Sequence, residues 1–263
     1  MKEKHTFVIC AYGESPYLEE CICSLLNQKR KSPVLIATST PNEHIERLAE
    51  KYHLQVKVNQ GEKGISADWN FACSCADTPY VTLAHQDDLY EPDYSEHILA
   101  FLKKAKHPLI AFTDYCELRD GRKTETNELL RIKRFLLSPL KIKGLQNSKF
   151  VRRRILSVGS PICCPSVTLV KEHLPEQPVF ENNMKSNVDW QAWEKLSKLK
   201  GSFIYCKKPL VAHRIHEDSE TSAIIADNKR SDEDEVMFSK FWPKFIVKIL
   251  VKFYAKGQDS NNM

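Results

Sequence analysis

Two adjacent carboxylates, Asp87 and Asp88, close a polar loop that reads His85-Gln86-Asp87-Asp88. Like charges this close repel, so a cation commonly accompanies such a pair. Mg2+ or Mn2+ shared with a substrate diphosphate is one solution, because hard cations prefer oxygen ligands. A solvated strand-to-helix turn with aspartate caps is the other. By themselves the two acids do not decide between these readings.

The elements that must position this loop are legible upstream. Phe7 to Ala11 is a short apolar run, read as a buried strand. Gly13-Glu14-Ser15-Pro16 reads as a turn, with Ser15 as cap and Pro16 at the first position of a helix. That helix buries Leu18, Cys21, Ile22, Leu25 and Leu26 at helical spacing. Val34 to Ala37 is a second strand. Thr40-Pro41-Asn42-Glu43 reads as a capping box, followed by an inner helical face of Ile45, Leu48, Ala49 and Tyr52. Val56 to Val58 is a third strand. A polar loop with Gly61 and Gly64 leads into a helix carrying Trp69, Ala72, Cys73 and Ala76. Tyr80 to Ala84 is the fourth strand, and the acid-bearing loop follows it directly. Alternating strands and helices predict an α/β fold with a Rossmann-like, mostly parallel central sheet and helices on both faces. In such sheets ligands bind beyond the carboxyl ends of the strands, where Asp87 and Asp88 fall.

The second half is less regular. Ile110 to Leu118 and the Asp120-Gly121 turn predict a hairpin-like excursion. A basic segment runs from Arg122 to Arg154, with eleven Lys or Arg residues against Glu125 and Glu128. It suits phosphate groups, anionic lipid or nucleic acid, or is simply a solvated loop. An apolar stretch from Ser160 to Val170, a Trp-bearing helix from Asp189 to Leu199 and a strand at Phe203 to Cys206 follow. Near the end, Lys240, Lys244, Lys248, Lys252 and Lys256 recur every four residues, with Phe241, Phe245, Val247, Ile249, Leu250, Val251 and Tyr254 between them. On a helix this makes a lysine stripe beside a broad apolar face. Such a helix either lies in an anionic membrane interface or packs on the domain. The expected organisation is a first α/β half over residues 1–120, an acceptor-side half of the same domain over 121–230, and a basic amphipathic helix and tail over 231–263.

Composition sets the bounds. A chain of 263 residues supports one substantial core and a small appendage. Apolar residues are 42% and charged residues 28%, an ordinary globular balance that excludes a disordered chain. Nine cysteines lack any C-x-x-C spacing, so a zinc ribbon or thioredoxin-like motif is not expected. Most have apolar neighbours, and a reducing, cytoplasmic compartment is their natural home. The first residues lack the apolar core of a signal peptide, and no stretch is long and apolar enough to span a bilayer.

Three stretches taken together are more specific than the acids alone. Tyr80-Val-Thr-Leu-Ala-His-Gln-Asp-Asp-Leu-Tyr-Glu-Pro-Asp93, the opening Phe7-Val-Ile-Cys-Ala-Tyr-Gly, and Asn59-Gln-Gly-Glu-Lys-Gly-Ile-Ser-Ala-Asp-Trp-Asn70 occur in the order found in glycosyltransferase family 2, and the chain resembles that family over its first 95 or so residues. The resemblance implies the GT-A fold, a nucleoside diphosphate sugar donor, a divalent metal (Mn2+ or Mg2+) and inversion at the anomeric carbon. It assigns Ala11, Tyr12 and Glu14 to the nucleotide pocket, together with Asn70 and Gln86. Asp87 matches the metal-facing acid, with Asp88 as its neighbour.

Two departures stand out. His85 occupies the position of the motif's usual first acid, and either ligates the metal or orients Asp87 from behind. The acid that commonly closes the second strand is replaced by Thr38-Ser39-Thr40, where the hydroxyl of Ser39 offers a weaker hydrogen bond to base or ribose. For the acceptor side, inversion needs a base within reach of the attacking hydroxyl. Asn187-Val-Asp-Trp-Gln-Ala-Trp193 resembles the family's acidic site before a Trp-containing helix. Asp189 is expected as the base, with helix capping as its alternative. Trp190 and Trp193 offer faces for a sugar ring, or are core. The segment from Val211 to Thr221 resembles the family's late Arg-x-His motif. Arg214 is expected to grip a phosphate bidentately, and His216 to ligate the metal or touch the diphosphate.

The resulting expectation is a cytoplasmic hexosyltransferase acting at the inner face of the plasma membrane, on a glycan or lipid-linked acceptor of a bacterial-type cell surface, with no nucleic-acid partner. A sugar-nucleotide pyrophosphorylase would need a Gly-rich, Arg-containing loop near the start, where only Gly13 lies. A nucleic-acid binder would leave the strand-end acids unexplained. A catalytically silent binding module of the same fold is the stronger rival, given His85 and the missing second-strand acid.

Overall fold

A computed structural model describes residues 4–175, 178–216 and 229–259. The first half winds β1 (His5–Ala11), α1 (Leu18–Leu26), β2 (Val34–Thr38), α2 (Glu43–Tyr52), β3 (Gln55–Val58), α3 (Ile65–Cys75), β4 (Tyr80–His85), β5 (Leu89–Tyr90) and α4 (Tyr94–Lys104). The second half adds β6 (Pro108–Arg119), β7 (Arg122–Thr124), α5 (Glu128–Leu137), α6 (Lys149–Ile155), β8 (Val167–Val170), α7 (Val188–Ser197), β9 (Ser202–Arg214), α8 (Lys229–Ser239) and α9 (Lys244–Asp259). The strands form one sheet in the order β3-β2-β1-β4-β8-β6-β9-β5, with β7 on β6. β1 to β4 pair in parallel, and so do β6 and β9. β8 enters antiparallel between β4 and β6. Strands from the second half therefore belong to the same sheet as the first.

Strand periodicity divides the core in two. Phe7, Ile9 and Ala11 face one side with Ile36 and Ala84, and meet Leu18, Ile22, Ile45, Tyr94 and Ile98 from α1, α2 and α4. Val8 faces the other side with Leu35, Ala37, Val81 and Leu83, and meets Ala72 of α3 and Trp190 and Trp193 of α7. A strand buried on both faces reads as an unbroken apolar run, as β1 does. The hairpin from β6 to β7 turns at Asp120 and Gly121, both with positive φ (48° and 75°), as a two-residue turn between twisted strands requires.

Several expectations need correcting. α1 starts at Leu18 with Tyr17 as its cap, two residues beyond the proposed one, and Ser15 Oγ accepts instead from Tyr17 N at 3.3 Å in the preceding turn. The cap of α2 is Asn42, whose Oδ1 accepts from Ile45 N at 3.0 Å, so the proline precedes the helix rather than opening it. The basic segment is not a loop. It folds into α5, two 3-10 turns and α6, and Arg152 is buried with its guanidinium over the Phe203 ring and Nη2 on Leu199 O. The lysine stripe is not one helix, because Lys240 lies in the turn between α8 and α9. Of the apolar tail residues, Val247 is buried and Leu250 and Val251 pack against the core. The side chains of Tyr254 and Lys256 lie outside the described residues, as do residues 217–221 of the late motif.

Candidate active site

The site forms where the sheet's parallel strands end. Adjacent β1 and β2 end in register at Ala11 and Thr38, and β4 brings His85 beside Cys10. Ala11 is buried beneath the mouth, whereas Tyr12 and Glu14 are exposed on it. Gln86 holds the first loop by both ends of its amide: Oε1 accepts from Tyr12 N and Nε2 donates to Tyr12 O, each at 3.0 Å. Gly13, at φ 60°, donates its N–H to Thr40 Oγ1 at 2.7 Å, and its carbonyl accepts from Asn42 Nδ2 at 3.0 Å. A left-handed glycine lets the chain reverse under the exposed Tyr12 ring.

The missing second-strand acid has a spatial substitute. Asp68, in the first turn of α3, accepts from Ser39 Oγ through Oδ2 and from Asn59 Nδ2 through Oδ1, both at 2.8 Å. A carboxylate therefore does stand at the ends of β2 and β3, delivered by a helix. Its signal in the sequence was an acid in the first turn of a helix that follows a glycine loop. Asn70 is a correction: it bonds the backbone of Phe180 in both directions (2.6 and 3.2 Å) and staples α3 to the segment before α7, which leaves its amide committed to the protein.

At the end of β4, ligand atoms of His85, Asp87 and Asp88 all lie within 4.8 Å of one another. Asp88 is fully buried. Its Oδ1 accepts from Arg214 N at 2.8 Å and pairs with His213 Nδ1 at 3.0 Å, while Oδ2 has no hydrogen-bond partner. Burial disfavours charge on His213, but the Asp88 carboxylate outweighs it and raises its pKa. Nε2 of His85 is buried and also without a hydrogen-bond partner. Burial pushes the His85 pKa down to about 4, so the imidazole is neutral and its nitrogen can ligate. Its ring stacks on Trp69 at 5.0 Å, which fixes its orientation. His216 Nε2 stands 3.2 Å from Asp87 Oδ2. Two carboxylates and a neutral imidazole, with two buried donor atoms unsatisfied, fit a divalent cation.

Arg214 is differently employed from the expectation. Its Nε donates to Asp87 O at 2.8 Å, its Nη2 to Glu20 Oε2 at 2.6 Å, and its guanidinium lies 4.2 Å from the Tyr17 ring centroid. Two of its three nitrogens are thus committed to the protein, and it positions the acid loop rather than offering an open fork to phosphate. Glu20, Tyr17, Trp69 and His213 were not identified from the sequence, because their partners lie far along the chain.

Asp189 is half-buried in the first turn of α7. Asn187 holds the cap position without a side-chain bond, and Asp189 Oδ1 accepts from Trp190 N at 2.6 Å, so one carboxylate oxygen serves the start of the helix. Burial raises the pKa of the Cys163 thiol well above its ordinary value, and the charges of Asp88 and Asp189 add to it. The thiol thus lies in the electrostatic reach of both acids. Trp190 and Trp193 are 0% and 1% exposed. Trp190 Nε1 donates to Leu156 O at 2.9 Å, and its ring meets Phe238 edge-on. Both are core residues, and the expected sugar platform is withdrawn.

The fold and the acid loop define a GT-A protein of the glycosyltransferase class. Residues 6–171 match the pattern of the family described as Glycosyl transferase family 2, and the chain belongs to that family. It is 26% identical over 118 residues to an uncharacterized glycosyltransferase of Haemophilus influenzae, covering 42% of this chain and 36% of the relative. It is 23% identical to an uncharacterized glycosyltransferase of Rickettsia typhi, covering 91% of this chain and 71% of the relative. Among solved structures it is similar to S. aureus TarS 1-349 in complex with UDP-GlcNAc (TM-score 0.62, 15% identity, 94% of this chain and 70% of that one). It is also similar to the mannosyltransferase PcManGT from Pyrobaculum calidifontis in complex with GDP-Man and Mn2+ (TM-score 0.63, 14% identity, 95% of this chain and 70% of that one). Among the described residues, no helix is long and apolar enough to cross a membrane.

Proposed function

We propose that the chain transfers a hexosyl group from a nucleoside diphosphate sugar to a hydroxyl of a glycan or lipid-linked acceptor, with inversion. The observation that carries this reading is the cluster of His85, Asp87 and Asp88 at the end of β4, with buried donor atoms of His85 and Asp88 unsatisfied. In the nucleotide half, Ala11, Tyr12, Glu14 and Ser39 line the pocket, and Gln86 shapes it by holding Tyr12. Asp68 supplies the carboxylate at the ends of β2 and β3. Asp87, Asp88 and His85 would hold Mn2+ or Mg2+, with His216 beside them. The nitrogen ligand tilts this set toward Mn2+. When bound, the cation neutralises charge developing on the departing diphosphate.

Asp189 takes the proton of the acceptor hydroxyl as its oxygen attacks the anomeric carbon. The new C–O bond forms on one face while the bond to the diphosphate oxygen breaks on the other. Arg214, tied to Glu20, keeps the Asp87 carbonyl and the acid loop in place. A helix with exposed Lys244, Lys248 and Lys252 would bring the chain to the inner, anionic face of a membrane, where a lipid-linked acceptor for a surface glycan is presented. The second reading is a binding module of the same fold without turnover. His85 in place of an acid and the commitment of Arg214 to Glu20 favour it.

A thermal-shift panel of UDP-, dTDP- and GDP-sugars with and without Mn2+ tests the donor reading. A ligand at 100 times its Kd raises stability by about 2.7 kcal/mol. One donor is expected to do so with Mn2+ and to lose the effect in Asp87→Ala. No metal-dependent shift with any donor would sink the reading. Asp189→Asn is expected to bind donor normally and to lose sugar transfer by about 100-fold or more. A module without turnover would make no product in either protein.

A further inference from the structure

α5 buries Leu130 and Leu137 yet leaves two large apolar side chains, Ile132 and Phe135, in water. Two of its three cations turn inward: Lys133 Nζ donates to the Tyr115 hydroxyl at 2.8 Å, and Arg134 donates to Asp114 Oδ2 at 2.6 Å and to Tyr115 O at 3.1 Å. Its outward stripe is Glu128, Arg131, Ile132 and Phe135, at helical spacing. Downstream, Ile142 and Phe150 also face out, as do Phe245 and Ile249 on α9. These six are 51–77% exposed, and they are six of the ten exposed large apolar side chains among the described residues. Apolar surface concentrated in this way marks an interaction site rather than scattered exposure.

The charge around it is predominantly positive, with Glu128 the exception on the α5 stripe. Residues 129–154 and 244–252 contain no Asp or Glu. Arg131, Lys141, Lys143, Lys149 and Arg154 are exposed in the first stretch, and Lys244, Lys248 and Lys252 in the second. α6 touches the turn that leads into α9. The Arg154 guanidinium lies over both the Phe150 ring (5.5 Å) and the Trp242 ring (4.8 Å), and Arg153 Nη2 donates to Lys240 O at 2.9 Å. Apolar side chains among eight exposed cations, with Glu128 as the exposed acid on α5, complement the interface of an anionic bilayer. A protein surface or a second copy of this chain would have to bring the compensating acids.

We propose that the α5–α6 segment and α9 together form one docking surface for an anionic lipid bilayer, with Phe135 and Phe150 entering the interface. The α9 half rests on the membrane-facing reading above, whereas the α5–α6 half stands on exposed Ile132, Phe135, Ile142 and Phe150 among exposed cations. The surface is linked to the acid loop by a short relay: Lys133 on Tyr115, the Tyr115 ring 6.2 Å from that of His213, and His213 on Asp88. Docking through α5 would thus hold the acceptor side of the site against the membrane plane.

The full chain is tested on vesicles of pure phosphatidylcholine and of equimolar phosphatidylcholine and phosphatidylglycerol, by co-sedimentation. Binding to the anionic vesicles is expected to be at least about tenfold tighter and to weaken with salt. Phe135→Ser with Phe150→Ser, and separately Arg131→Ser with Lys141→Ser and Lys143→Ser, should each weaken it by about tenfold. Melting temperature and the donor thermal shift should stay unchanged in both, because every substituted side chain is exposed. If these variants bind like wild type while Phe245→Ser with Ile249→Ser loses binding, the joint surface is wrong and α9 alone docks. If wild type shows no preference for anionic vesicles, both ideas fail. A wild-type dimer that Phe135→Ser converts to monomer would assign the surface to self-association and overturn the proposal. None of these outcomes depends on sugar transfer.

Discussion

Asp68 is bonded at both carboxylate oxygens to groups from two different strand ends, Ser39 and Asn59. Asp68→Ala would leave a buried hydroxyl and a buried amide N–H unpaired, each at a cost of about 1–3 kcal/mol. We expect a clear fall in melting temperature and weaker donor binding, read by calorimetry and titration. Asp68→Asn, which retains an acceptor for the Ser39 hydroxyl, should lose less. Arg214 makes a similar argument with a different geometry. It reaches Asp87 O, Glu20 and the Tyr17 face at once, which a lysine cannot do. Arg214→Lys should therefore lower kcat/KM by about tenfold or more while leaving the acids intact. Glu20→Gln, which preserves a hydrogen bond but removes the charge, should be milder. Equal effects on stability and none on transfer in both would mean that Arg214 serves the fold alone.

Among the elements, β1 carries a titrating group in its buried run. His5 Nδ1 pairs with Ser32 Oγ at 2.9 Å and Nε2 with Thr82 Oγ1 at 2.8 Å. Thr82 continues to Thr168 on β8 at 2.7 Å, so a polar ladder crosses three strands. Burial foremost, with Arg30 nearby, pushes the His5 pKa down to about 3. The unfolded chain binds this proton near its ordinary pKa of about 6.5, and the folded chain does not. Stability therefore falls as pH drops from about 6.5 toward 3, at up to about 1.4 kcal/mol per unit. Urea unfolding at pH 7 and pH 5 should show a loss of about 2 kcal/mol from this residue, and His5→Gln should flatten the slope by that amount. The same elements explain what could be read in advance. β1 to β4 are buried apolar runs separated by periodic helices, so their order and the strand-end acids were visible in the sequence. β9 was seen only at its start, because Lys207, Lys208 and Pro209 interrupt its apolar run. β6 and β9 absorb the interruption as register shifts at Asp114 and Tyr115, and the two lysines face out. Asp68, Glu20 and His213 were invisible as site residues because tertiary contacts define them, the Arg214–Glu20 pair spanning 194 positions. Trp190 and Trp193 misled for the opposite reason. An aromatic beside a catalytic acid looks the same in sequence whether it faces a sugar or the helices packed behind it.

For the molecule as a whole, the C-terminal helices are part of the core that holds the proposed base, and not an appendage. Met237 and Phe238 of α8 are fully buried, and Phe238 meets Trp190 edge-on, one residue from Asp189. Glu233 accepts hydrogen bonds from the backbone N–H groups of Lys185, Ser186 and Asn187 at 2.6, 2.9 and 3.0 Å, and from the Ser186 hydroxyl at 2.7 Å. The next residue, Asp234, accepts from Asn187 Nδ2 at 2.7 Å. One helix therefore satisfies the backbone that leads into α7 and sets where Asp189 starts. Burial opposes charge on Glu233, but the hydrogen bonds outweigh it and hold its carboxyl below the ordinary value. Its contribution is present above the unfolded carboxyl range near pH 4.5 and is lost as pH falls through the lower folded value. Glu233→Ala should destabilise the protein by about 1–3 kcal/mol at neutral pH, because the three N–H groups lose a charged acceptor. Sugar transfer should fall more than donor binding, since α7 carries the proposed base and the donor half lies on other strands. A variant that melted early yet transferred sugar at the wild-type rate would show that Asp189 keeps its place without α8. The link would then be one of stability only.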